Sequence, residues 1–546
     1  MKILAVIPAR GGSKGIPRKN VRLMNGKPLI YYAINNAKNC GLIADIVVST
    51  DDPEIISVVE NYDVNIIERD KNLALDNITL DPVIFDALNQ MEREKNVEYD
   101  VVLTLQATSP LLKLETLENA LNYFIDSDAD TCISVVNKPH LAWTKKEGKY
   151  IPLYEERLNR QLLPPRYSET GAFLIARRDC VTKSSRIGEK VTVFEVNEKE
   201  SVDIDSYQDW ILCENELRRK KIILRADGYK EIGMGHIYHC LTKAYNLAGH
   251  DVLLVTNRNY SEGLKKIEES FLPFETIENE DEFVSLVERI KPDIVVNDLL
   301  NTSVEYIKKL KDRVLRVVNI EDVGKGSYLA DAVINALYEE VESNPNHFYG
   351  EKYICLRDEF LIKEPKEFNS KIKEILILFG GTDPGNFTKK MYDIVLKEHD
   401  KYPEIRFNFI TGMGYDCELN GVKSQEKNNI FIINNTNSVS RYMKTADLAI
   451  TSQGRTVYEL ACLGVPSIVL AQNERETLHT FAQMKNGFLN LGLGKNVYDE
   501  TIAQTMEWLI SAPQVREEMR HNMLSYDLKK GIERIKRIIL GEEIYE

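Results

Sequence analysis

Three segments of this 546-residue chain carry residue types at spacings that could do chemistry. The first is Pro8-Ala-Arg-Gly-Gly-Ser-Lys-Gly-Ile-Pro-Arg-Lys-Asn20, directly after a short apolar run. Gly11, Gly12 and Gly15, with Ser13 among them, let a backbone bend closely around a ligand and turn its amide N–H groups inward. Arg10, Lys14 and Lys19 add cations suited to a triphosphate. The spacing matches neither GxGxxG nor GxxxxGKS/T, which sets aside the dinucleotide fingerprint and the ordinary P-loop. A flexible glycine turn with exposed basic residues is the alternative.

The second segment is Ser201-Val-Asp-Ile-Asp205. In an extended stretch Asp203 and Asp205 leave the same side. Mg2+ favours such oxygen ligands while it keeps waters and bridges substrate phosphates. A solvated edge strand has the same alternation. The third segment, Leu224-Arg-Ala-Asp-Gly-Tyr-Lys-Glu-Ile-Gly-Met-Gly-His236, reads as strand, glycine turn and helix start. Backbone amides at a helix start favour an anion, and a neutral His236 there could accept a proton from water. Capping or plain surface structure is the other use of such a histidine.

The elements that must position these groups alternate as α/β units. Apolar runs Ile3–Pro8, Ile46–Ser49, Val101–Leu105 and Thr131–Val135 are separated by amphipathic stretches such as Leu29–Cys40 and Pro82–Glu92. This pattern predicts a parallel sheet covered by helices on both faces. Residues 139–170, with Pro, Trp and Tyr, break the rhythm and read as an insertion or lid. The chain restarts at Ile222 after the charged stretch Leu217–Lys221, and again at Ile375. Three regions are therefore expected, at 1–220, 221–365 and 366–546.

Composition bounds the rest. A net charge of −14 argues against nucleic-acid binding, yet the first 44 residues hold eight basic and no acidic side chains, a local field suited to an anionic small molecule. No apolar run approaches a membrane span, and no signal-peptide pattern is present. The eight scattered cysteines fit free thiols in a reducing compartment. A cytoplasmic protein is expected.

Several motifs of the first region, taken together, resemble CMP-sialic acid synthetases (N-acylneuraminate cytidylyltransferases). The glycine turn, Leu105-Gln-Ala-Thr-Ser-Pro-Leu111 and Ser201-Val-Asp-Ile-Asp205 occur in the family's order, across about residues 1–216. Leu75-Asp-Asn-Ile-Thr79, with Asp76 and Thr79, sits where that family has a cytosine-side loop, and Arg160-Gln-Leu-Leu-Pro-Pro165 lies in its sugar-binding region. The resemblance implies a Rossmann-like, GT-A-like nucleotidyltransferase fold that joins CTP to a nonulosonic acid and expels pyrophosphate. Arg10, Lys14 and Lys19 would hold phosphates, Asp203 and Asp205 a Mg2+ ion, and Gln106, Thr108 and Ser109 the sugar, with Arg160 and Gln161 nearby. Ser168-Glu-Thr-Gly-Ala172 lacks the Arg and Asn usual near the family's sugar pocket, which leaves the sugar open. A homodimer through this region is compatible with the resemblance.

The second half is similar to UDP-2,4-diacetamido-2,4,6-trideoxy-β-L-altropyranose hydrolases and their spore-coat-polysaccharide relatives. The segments that carry this are Arg225-Ala-Asp227, Gly233-Met-Gly-His236, Leu356-Arg-Asp-Glu-Phe360, Phe379-Gly-Gly-Thr-Asp-Pro384 and Ala471-Gln-Asn-Glu474. A two-lobed GT-B fold is implied, with hydrolysis of a UDP-sugar and no metal or other cofactor. His236 would be the base, Asp227 and Asn473 orienting groups, and Glu474 a sugar contact. Gly380 and Gly381 would meet phosphate and Glu459 the ribose hydroxyls. Where that family has a Tyr after an Asp-His pair, this chain has Asn297-Asp-Leu-Leu300, so Tyr229, Tyr238 and Tyr338 are candidates for its place. GT-B folds also serve sugar transferases, and a non-catalytic sugar-nucleotide-binding unit is the remaining alternative.

Overall fold

The computed structural model describes residues 1–12, 15–229, 234–339, 344–412, 414–417, 422, 429–434, 436 and 438–543. The chain divides into two compact units, Met1–Arg219 and Lys220–Glu546.

Unit one is built on β1 (Ile3–Pro8), β2 (Asp45–Thr50), β3 (Asn65–Glu68), β4 (Val101–Leu105), β5 (Thr131–Asn137), β6 (Tyr167–Arg177) and β7 (Val191–Glu195), in the order β7-β5-β6-β4-β1-β2-β3. β1 is buried on both faces, as a central parallel strand must be. Its Ile3, Ala5 and Ile7 pack with Ile30, Ile34 and Ala37 of the helix Leu29–Asn39, and its Leu4 and Val6 with Ile84, Leu88 and Met91 of the helix Leu80–Lys95. The chain leaves β1 in one direction for β2 and returns to its other side at β4, so the crevice beyond the carboxyl ends of β1 and β4 is a topological switch point, where open α/β sheets bind ligands.

The sheet is not wholly parallel. β6 runs antiparallel to both β4 and β5, and its register on β5 shifts between Glu169 and Leu174, where Gly171 has φ +74°. Part of the stretch read as an insertion thus belongs to the sheet. The remainder includes an exposed hairpin, Trp143–Lys146 with Lys149–Pro152.

Unit two holds two sheets. The first has β8 (Lys221–Ala226), β9 (Asp251–Asn257), β10 (Phe274–Ile277), β11 (Ile294–Asp298), β12 (Arg316–Ile320), β13 (Ala332–Asn335) and β14 (His347–Tyr349) in the order β10-β9-β8-β11-β12-β13-β14. The second has β15 (Glu374–Leu378), β16 (Arg406–Thr411), β17 (Ile430–Asn434), β18 (Leu448–Ser452), β19 (Ser467–Ala471) and β20 (Phe488–Leu493) in the order β17-β16-β15-β18-β19-β20. Both follow the Rossmann order 3-2-1-4-5-6 with parallel pairing, the first with a seventh strand added at its edge, so two Rossmann lobes make a GT-B architecture. The last helix, Gly531–Leu540, returns to the first lobe, where Ile532, Ile535 and Ile539 join the core formed by Ile222, Leu224 and Ile294. Among the described residues no helix is long and apolar enough to cross a membrane, and all eight cysteines are free.

Candidate functional site

In unit one the glycine turn is wedged between the end of β2 and the acidic segment. The Gly11 amide donates to Asp51 Oδ1 at 3.2 Å, and a Cβ on Gly11 would stand 2.1 Å from Asp52 Oδ2. A Cβ on Gly15 would stand 2.4 Å from the Asp205 carbonyl oxygen, whereas Gly12 faces open space. The Asn20 side-chain Nδ2 donates to the Arg10 carbonyl at 3.0 Å and closes the turn. Lys19 donates to the Ile204 carbonyl at 2.5 Å and lies 3.7 Å from Asp205 Oδ1. Ser13 and Lys14 lie outside the described residues.

The acidic segment is not a strand. Residues 202–205 link a short turn to the helix Tyr207–Leu217, and they are held by the Ile204 amide donating to the Thr108 carbonyl at 2.9 Å. Ile204 is buried with Ile16, Met24, Leu29 and Trp210, and this plugs the segment into the core. Asp205 is exposed while Asp203 is largely enclosed. Asp203 Oδ2 lies near Gly171, since a Cβ there would come within 3.2 Å of it and 3.4 Å of Gln106 Nε2. Burial, then the charge of Asp205, pushes the Asp203 carboxyl above its ordinary range. The Thr108 hydroxyl lies close enough to favour the charged form but not in bonding geometry. Asp203 Oδ1, Thr108 Oγ1 and Ser109 Oγ are therefore three buried oxygens without a hydrogen-bond partner among the described residues. Buried polar atoms are nearly always paired, so this group is where a ligand fits.

The other expected residues spread wider. Arg10 pairs with Asp76 at 2.9 Å, and Thr79 is an exposed N-cap without a capping bond. Arg160 and Gln161 sit on an exposed turn, with Arg160 3.8 Å from Glu198. Arg69 went unnoticed in the sequence. It is buried and donates to Ser49 Oγ and the Ser49 carbonyl at 3.1 and 2.6 Å, so it sets a cation beside the glycine turn.

In unit two a cleft of about 800 Å3 is lined from both lobes, by His236, Tyr238, Glu321 and Tyr338 on one side and by Gly380, Gly381, Glu459, Asn473, Glu474 and Glu476 on the other. His236 opens the helix Gly235–Asn246 and is buried. Its Nδ1 lies 2.6 Å from Asp298 Oδ1, and Lys243 donates to Asp298 Oδ2 at 2.7 Å. A carboxylate can only accept, so Nδ1 carries a proton, and in the neutral form of the ring Nε2 is the acceptor. Burial alone would raise the Asp298 carboxyl, but Lys243 and then His236 hold it well below the carboxylate range.

Asp227 does not line the cleft. Its Oδ1 accepts from the Asn257 amide at 2.8 Å and the Thr256 hydroxyl at 3.3 Å, so it ties the turn after β8 to β9. The carboxylate that orients His236 is instead Asp298, in the segment where the chain departs from its resembled family. Gly380 has φ +79°, and a Cβ on Gly412 would come 2.5 Å from Gly381 Cα, so the turns after β15 and β16 meet backbone to backbone. Glu459 accepts from Arg357 at 2.8 Å. Asn473 accepts from the Glu476 amide at 3.1 Å, and Glu474 pairs with Lys495 at 3.2 Å. Tyr229, Tyr238 and Tyr338 all line the cleft, and Tyr338 accepts from Arg475 at 2.8 Å.

Residues 4–204 match the family model described as Cytidylyltransferase. A pseudaminic acid cytidylyltransferase from Campylobacter jejuni is 34% identical over 217 residues, 38% of this chain and 93% of that protein. The chain belongs to the cytidylyltransferase family. The spore coat polysaccharide biosynthesis protein SpsG of Bacillus subtilis is 29% identical over 337 residues, 59% of this chain and 97% of that protein. An uncharacterised Methanocaldococcus jannaschii protein is 32% identical over 275 residues, 46% of this chain, and the chain spans only 56% of its length.

In the cytidylyltransferase unit the donor set suits a hard cation. Asp203 offers a buried, unpaired carboxylate oxygen, and Asp205 adds a second carboxylate beside Lys19. Among the described residues no group of three or more His, Cys, Asp or Glu side chains converges as a metal cage.

Proposed function

We propose that the cytidylyltransferase unit transfers CMP from CTP to a nonulosonic acid. The carrying observation is the set of partnerless oxygens on Thr108, Ser109 and Asp203, gathered at the switch point beside the glycine turn. In this reading the sugar's anomeric hydroxyl attacks the α-phosphorus, the α–β P–O bond breaks, and pyrophosphate leaves. Positioning and charge neutralisation carry such a step. Lys19 and Arg10 draw the triphosphate to the glycine turn, while Thr108, Ser109 and Gln106 hold the sugar. Asp203 and Asp205 would hold Mg2+, which when bound supplies charge neutralisation at the phosphates. The 34% identical relative named for pseudaminic acid supports a nonulosonic acid as acceptor. Pyrophosphate release from CTP and Mg2+ with a panel of nonulosonic acids tests this and names the sugar.

For unit two we propose hydrolysis of a UDP-linked 2,4-diacetamido-trideoxy sugar. His236 lines the cleft, and its Nε2, which has no hydrogen bond among the described residues, takes a proton from water as the water oxygen attacks the anomeric carbon, and UDP departs. A cleft of about 800 Å3 suits a nucleotide sugar. Two Rossmann lobes serve hydrolysis and transfer alike, so transfer to an acceptor is the second reading. UDP release without any acceptor supports hydrolysis; release only with an acceptor supports transfer. The two units would then serve one route, making a diacetamido hexose and activating the nonulosonic acid built from it.

A further inference from the structure

We propose that Lys243 is a positioning residue for His236, and this rests on His236 acting as the base of unit two. His236 and Lys243 lie two turns apart on the same helix, Gly235–Asn246, and both reach the single carboxylate of Asp298 at the end of β11. Its two oxygens are divided between them, Oδ1 at 2.6 Å from His236 Nδ1 and Oδ2 at 2.7 Å from Lys243 Nζ. All three side chains are buried, Lys243 and Asp298 at 2% and 3% exposure. A lysine so enclosed is rare without a partner, and among the described residues it alone donates to Oδ2.

Two consequences follow from charge and geometry. First, Lys243 fixes the plane of the carboxylate, which fixes the His236 ring with its proton on Nδ1 and its Nε2 toward the cleft. Second, the ammonium and the carboxylate cancel, so the pair presents His236 with a dipole in place of a bare anion. Without the ammonium an unpaired buried carboxylate would draw a second proton onto the imidazole, because a nearby opposite charge favours the charged form. The protonated ring has no lone pair left to take a proton from water. The other charged or titratable groups facing this cluster are Glu321 and Arg455, which pair with each other, His239 on the same helix, and Cys240 and Cys355 behind Lys243. None of them bonds Asp298 Oδ2, so none replaces the ammonium in its place.

The test is 15N-histidine NMR of the full chain at pH 7.5, with His236→Gln assigning the His236 signals, alongside the pH profile of UDP release. The wild type should show a neutral ring protonated at Nδ1. Lys243→Met should add the doubly protonated pattern to the pH 7.5 spectrum and move the acid limb of kcat/KM up by about one pH unit. Lys243→Arg should restore the neutral pattern and the wild-type limb. Lys243→Gln provides the same comparison where the methionine variant does not fold. Unchanged His236 signals and an unchanged limb in a folded, uncharged variant would overturn the proposal. A wild type that releases no UDP from any UDP-sugar overturns the hydrolysis reading, and the NMR comparison still decides the role of Lys243.

Discussion

Gly15 and Asp205 meet backbone to backbone: the space a Gly15 side chain would need is filled by the Asp205 carbonyl oxygen, 2.4 Å from where a Cβ would stand. The glycine turn and the acidic segment are thereby locked at one height above the sheet. Lys19 reinforces the lock through the Ile204 carbonyl at 2.5 Å. A cation of one segment, Lys19, is thereby set 3.7 Å from a carboxylate of the other, Asp205.

Gly15→Ala should separate the two segments. Overpacking of a tight contact costs about 1–3 kcal/mol, and misplacement of this kind lowers cytidylyl transfer by about tenfold or more. Steady-state pyrophosphate release reads the second and thermal unfolding the first. Gly12→Ala, which meets open space, serves as the comparison and should leave stability nearly unchanged.

Asp203→Asn should abolish most transfer yet stabilise the unit. The Asp203 carboxyl is raised in the folded state, mainly by burial, so ionising it opposes folding above its unfolded value, and that penalty vanishes as pH falls toward about 4. Melting curves should show a higher Tm for the variant at pH 7.5 and coincident values at pH 4. Equal or lower Tm at pH 7.5 would contradict a buried, unpaired carboxylate.

Asp298→Asn should leave His236 without its fixed tautomer. A loss of about 10²–10⁴ in UDP release is expected, with pyrophosphate release by the other unit unaltered. A variant with full UDP release would show that His236 needs no oriented partner.

Glu476 offers a pH signature for the cleft. Its Oε2 accepts from the Gln472 and Gln453 amides at 2.7 and 3.2 Å, and burial pushes its carboxyl up to about 7 against an ordinary 4.5. Below about 4.5 the group is protonated folded or unfolded and costs nothing. Between 4.5 and 7 it must give up its proton only in the unfolded state, so stability falls with rising pH, by about 3 kcal/mol in all. Glu476→Gln should remove that slope, which denaturant titration at pH 5 and pH 8 would measure.

Much of this fold is legible because the signals are local. Ile3–Pro8 is an uninterrupted apolar run, as a strand buried on both faces must be, and the glycines of the turn announce a close approach. What the approach is made to is not local. Nothing near Gly15 points to Asp205, and nothing near His236 points to Asp298, 62 residues on. Asp298 reads as one acid at the end of an apolar strand, while Asp227, nearer His236 in sequence, is spent tying one turn to β9. Lys243 looks like any solvated helix lysine until the sheet beneath it is in place. β6 was missed for a related reason: its antiparallel pairing with β4 and β5 is settled by tertiary packing, and its bulge at Gly171 breaks the alternation that would mark it.

The most direct test of the central claim is pyrophosphate release by the full chain from CTP, Mg2+ and individual nonulosonic acids, with the CMP-sugar identified by mass. Stoichiometric pyrophosphate and CMP-nonulosonate with at least one acid, lost in Asp203→Asn, is the predicted result. No pyrophosphate with any acid of the panel, from a folded chain that binds CTP, would contradict it.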